Sequence, residues 1–62
     1  MKAFVEDSKT GIKYKINYQH EKNIVWASTF VNGQEIKKHG DSKEAACWAL
    51  EQAIYQTLYF KL

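Results

Sequence analysis

The chain has no proline, one cysteine and no apolar run long enough to cross a bilayer or form a signal-peptide core. With no low-complexity tract or repeat either, its 62 residues leave room for one domain and no linker. Because Cys47 stands alone, a disulfide within the monomer is excluded, and a lone thiol fits a reducing, cytoplasmic setting better than secretion, with an intermolecular bridge as the alternative. His20, His39 and Cys47 are the soft ligands, and none stands at a ligand-pair spacing, so no metal or other cofactor is expected. The formal charge of +2 lacks the strong basic excess of dedicated nucleic-acid binders. A chain this short buries only roughly 60% of the surface its unfolded form exposes. With disulfides and metals set aside, self-association is the remaining way to add stability.

What the chain does contain is alternation. Ile12 to Gln19 runs apolar, polar, apolar, polar without a break, as a strand with one buried and one wet face does. Ala3 to Glu6 reads as an edge strand, joined to it through a polar loop that ends at Gly11. Ile24 to Val31 is rich in β-branched and aromatic residues. Asn32-Gly33 then favours a two-residue type I′ turn, and Gln34 to Lys38 returns as a shorter strand. That turn sets Val31 opposite Gln34 and Thr29 opposite Ile36. An even-length turn around His20 to Asn23 sets Tyr18 opposite Val25. One face then carries Ile12, Tyr14, Ile16, Tyr18, Val25, Ala27, Val31 and Ile36. Trp26 and Phe30 fall on the other, beside Lys13, Lys15 and Lys37.

A helix is expected over about 42–59, capped by Asp41 or Ser42. At about 100° per residue, Ala46, Cys47, Leu50, Ala53, Ile54, Thr57 and Leu58 form the stripe that lies on the sheet. Trp48, Tyr55 and Tyr59 fall nearly opposite. The expected fold is therefore α+β: an antiparallel three- to four-stranded β-meander (strands about 2–6, 12–19, 24–31 and 34–38) with one C-terminal helix packed on one face.

The stretch Phe30-Val31-Asn32-Gly33-Gln34-Glu35, followed by His39-Gly40-Asp41-Ser42-Lys43-Glu44-Ala45-Ala46, resembles the C-terminal half of a double-stranded RNA-binding domain. In that family a Val-Asn-Gly turn, a short strand and a Gly-x-Ser-Lys-Lys-x-Ala-Lys segment open the last helix. The resemblance covers roughly Tyr14 to Leu58 and implies a β-β-β-α arrangement. Of the family's basic helix-start positions Lys43 is retained, whereas Glu44 and Cys47 occupy the others. The family's first helix is replaced by a strand, and its Gly-Pro-x-His loop by Gln19-His20-Glu21-Lys22.

No nucleophile stands with a base, no carboxylate pair is placed for proton transfer, and no glycine-rich phosphate loop occurs, so neither an enzyme nor a small-molecule substrate is expected. Two readings remain. The first is a protein-interaction module, a homodimer or a binder of another protein, using Trp48, Tyr55 and Tyr59 or the outer-face Trp26 and Phe30; small accessory, inhibitor or adaptor proteins of phage type fit that description. The second is a nucleic-acid binder using Lys13, Lys15, Lys37, Lys38, His39 and Lys43.

Overall fold

The computed structural model describes residues 2–60. The order is β1 (Phe4–Glu6), β2 (Lys13–Lys15), β3 (Asn17–Glu21), β4 (Ile24–Val31), β5 (Gln34–Gly40) and α1 (Lys43–Tyr59). The strands form two antiparallel sheets, β1-β2 and β3-β4-β5, and α1 packs on the larger one, over β5 and β4.

The long strand expected over 12–19 divides at Ile16. Its first half pairs with β1, matching Val5 to Tyr14, and its second half pairs with β4. Ile16 sits at the handover, its N–H bonded to the Ala3 carbonyl at 3.0 Å and its side chain buried. Alternation therefore continues through the break, but the partner changes. Ile12, expected inside, is exposed, because it lies in the loop beyond the last pair of the β1-β2 ladder.

Asn32 and Gly33 both have positive φ, 53° and 80°, as a type I′ turn demands. The turn delivers the expected pairing of Val31 with Gln34 and Thr29 with Ile36. At the β3-β4 turn only Lys22 and Asn23 are unpaired, so Tyr18 meets Ala27 where Val25 was expected. The shift is two residues, and an even shift leaves every side chain on its expected face.

Ser42 caps the helix, its Oγ accepting from the Ala45 N–H at 3.2 Å. Ala46, Cys47, Leu50 and Ile54 point into the core against Ile16, Val25, Ala27, Val31 and Ile36. Ala27 and Ala46 lose all exposure, and such small side chains let helix and sheet backbones lie close. Leu50 is also fully buried, which contributes about 1.5–3 kcal/mol. At the strand-to-helix corner, a Cβ on Gly40 would lie 2.7 Å from both the Ala45 Cβ and the Ala46 nitrogen. Only glycine fits there without a shift.

Candidate interaction surfaces

On the outer face of the larger sheet, strand alternation collects Gln19, Glu21, Trp26, Phe30, Glu35, Lys37 and His39. Trp26 is held from several sides. Its indole N–H donates to Glu21 Oε1 at 2.6 Å, the His39 ring lies 4.9 Å away, and the Lys37 ammonium sits 5.0 Å above it. Phe30, 60% exposed, has no comparable partner among the described residues. On the smaller sheet Lys13 lies 4.9 Å over Phe4, and Lys15 is Phe4's cross-strand partner. Glu6, Glu21 and Glu35 alternate with these lysines, so the face has no single sign of charge.

The lysines near the helix start do not converge. Alternation along β5 puts Lys37 and His39 on the outer face and Lys38 on the helix side, while Lys43 is drawn over the Tyr18 ring at 5.8 Å. Tyr18 donates its hydroxyl to the Lys2 carbonyl at 2.9 Å. Burial, and then the neighbouring Cys47 thiol, push its phenol up to about 12.

The side of α1 turned from the sheet has two characters. At its C-terminal end Tyr59 is half-buried and bound to the β1-β2 loop, its hydroxyl 2.7 Å from each oxygen of the Asp7 carboxylate. Asp7 also accepts from the Thr10 hydroxyl at 2.9 Å and the Lys9 N–H at 3.2 Å. Lys9 lies 4.5 Å over the Tyr59 ring. The shared hydrogen bond raises the Tyr59 phenol to about 12 and lowers the Asp7 carboxyl below its ordinary value. Tyr59 therefore closes the fold and is not a free ring. Trp48 is 64% exposed, Tyr55 50% and Phe60 65%. Tyr55 leans on Tyr59 and Phe60, at 4.8 and 6.2 Å between centroids, while Trp48 has no hydrogen bond or ring contact among the described residues.

A cleft runs between α1 and β5, where strand and helix are antiparallel. Lys38, Gln52 and Trp48 flank it toward the helix start; Ile36, Gln56 and Phe60 flank it toward the helix end. Its larger lobe has a volume of about 410 Å³. Sequence reasoning missed this cleft, the part Phe60 plays in it and the Asp7 latch. The latch had a local signal in the Asp7-to-Thr10 spacing, which favours a turn closed by the Asp side chain.

No helix among the described residues is long and apolar enough to cross a membrane, and no cluster of metal-binding side chains occurs among them. Compared with known proteins, the chain matches no family model, no curated protein and no solved structure.

Proposed function

We propose that this protein is a small non-catalytic interaction module that associates with a second copy of itself through the rings α1 leaves uncovered. The observation that carries this reading is Trp48: 64% exposed on a regular helix, without an internal partner among the described residues. Tryptophan is enriched where binding energy concentrates. Phe60 and Tyr55 add apolar surface along the same helix. A thin core gives such a chain a physical reason to associate, since covering these rings adds burial that one helix and one small sheet cannot supply. Cys47 is buried beside Tyr18, so packing accounts for the thiol, and the setting that suits it is a reducing cytoplasm.

Sedimentation equilibrium tests the reading. A concentration-dependent dimer that weakens in Trp48→Ala is expected; a monomer at high micromolar concentration contradicts it.

A second reading rests on the outer sheet face, where Phe30 is open and Lys13, Lys15, Lys37 and His39 stand near aromatic rings. Single-stranded nucleic acid is bound elsewhere by rings and lysines so combined; the double-stranded RNA-binding resemblance concerns a different surface, the helix start, where Lys43 alone of the basic positions is retained. The interleaved glutamates and the engagement of Trp26 within the chain make it the weaker of the two. Binding to generic single-stranded and duplex oligonucleotides that falls steeply with added salt would favour it, and no binding at about 50 mM salt removes it.

A further inference from the structure

We infer that two copies of this chain join edge to edge through β5, antiparallel about a two-fold axis at Ile36, so that Glu35 of each copy faces the partner's Lys37. The inference rests on the self-association reading above and specifies how the copies meet.

The larger sheet has the order β3-β4-β5, and among the described residues no strand pairs with the far side of β5. The two-residue turn makes Val31 and Gln34 the hydrogen-bonded pair that closes the hairpin. In an antiparallel ladder such pairs alternate, so Gln34, Ile36 and Lys38 direct their backbone groups to β4. Glu35, Lys37 and His39 direct theirs outward. The edge therefore offers a row of unpaired backbone donors and acceptors, the ordinary template for another strand.

Side-chain charge selects the strand. Opposed residues in a two-fold antiparallel pair share a face, so each permitted register is centred on one residue. Centring on Glu35 sets glutamate against glutamate. Centring on Lys37 or Lys38 sets lysine against lysine. Registers centred nearer either end run into a turn. Centring on Ile36 sets Ile36 against its own copy on the helix side and Gln34 against the partner's Lys38. On the outer face it makes two Glu35–Lys37 pairs, between residues whose backbone groups already point outward. Lysines at an edge usually deter pairing. Here they deter strands that lack a carboxylate at the matching position, and this chain's own β5 supplies one.

The same axis sets the two α1-β5 clefts side by side. Gln52, Gln56 and Phe60 of each copy then face the other copy across the joined sheet, and because Lys38 lies opposite the partner's Gln34, the Trp48 end of one cleft meets the Phe60 end of the other. The dimer is a six-stranded sheet whose two helices cover one face.

Charge exchange tests the register. Sedimentation equilibrium should show wild-type dimers, and Glu35→Lys or Lys37→Glu alone should weaken dimerisation by about tenfold or more, since each places like charges opposite one another twice. Mixing the two variants should restore association as a heterodimer, because every opposed pair is then again of opposite sign. Circular dichroism of each variant checks the fold; Glu35 is exposed and makes no side-chain hydrogen bond among the described residues, so Glu35→Lys should fold as the wild type does. If the wild type dimerises and Trp48→Ala weakens the dimer while Glu35→Lys does not, the β5 edge is overturned and self-association stands. If both charge variants are weakened but their mixture does not associate, the register is overturned. A wild-type monomer overturns both.

Discussion

The two tryptophans of this chain lie off the core, on opposite layers of the molecule, and differ in what surrounds them. Trp26 belongs to the strand that pairs on both sides, so cross-strand neighbours are fixed around it: Glu21 takes the indole N–H, and His39 and Lys37 close on the ring. Trp48 stands on the side of α1 turned from the sheet, away from the β1-β2 loop that holds Tyr59 at the helix end, and 64% of it is left to solvent. Outward rings are satisfied where a neighbour is within reach, as Glu21, His39 and Lys37 are for Trp26 and Asp7 and Lys9 are for Tyr59; Trp48 and Phe30 have no such neighbour among the described residues. The surface available for binding therefore follows from which rings find a partner within the chain and not from aromatic content.

The largest expected effect removes the base on which this contrast stands. Leu50→Ala, opposite Trp48 on the same helix and fully buried, should cost about 2–5 kcal/mol, enough to unfold much of so small a chain. Urea denaturation measures it. Next is Gly40→Ala, whose added methyl meets the first turn of α1 at 2.7 Å and should cost about 1–3 kcal/mol. Because it displaces the helix relative to β5, it should also weaken dimerisation.

The tryptophans themselves sharpen the comparison. Trp26→Ala should lower stability by about 1–2 kcal/mol, and Trp48→Ala by no more than about 0.5 kcal/mol while reducing self-association. The opposite ranking would break the contrast.

The smallest effect is read in pH. Tyr59 is raised from its ordinary 10.0 to about 12 by its bond to Asp7, so its share of stability is full below pH 10 and lost as pH rises toward 12. Asp7 is lowered from its ordinary 3.8, so its share is present above that value and lost as pH falls through the lower folded one. Relative to wild type, Tyr59→Phe should show a modest loss at neutral pH and a shallower decline between pH 10 and 12. Thermal midpoints across both windows check this.

Local sequence carries faces and turns well. The two-residue period over Ile12 to Gln19, the Asn32-Gly33 turn and the helical stripe through Leu50 placed Trp26 and Phe30 outward and Trp48 away from the sheet, and the structure has them there. Periodicity does not carry partners. Nothing between Ile12 and Gln19 marks Ile16 as the point where the strand changes neighbours, because both halves keep the same alternation. Tyr59 has the helical phase of Trp48 and Tyr55, yet Asp7, fifty-two positions away, takes its hydroxyl. A contact that distant leaves no trace in a window of a few residues. The scattering of Lys37, Lys38 and Lys43 was legible in principle, since neighbours along a strand point to opposite faces. The Glu35-Ile36-Lys37 arrangement likewise becomes meaningful only once β5 is known to be the sheet's edge.

The most direct measurement is acrylamide quenching of Trp48 fluorescence in a Trp26→Phe variant, followed from low to high micromolar protein. If a second copy covers the ring, quenching should be strong at the lowest concentration and fall as dimers form. Quenching that stays strong at every concentration would contradict the account.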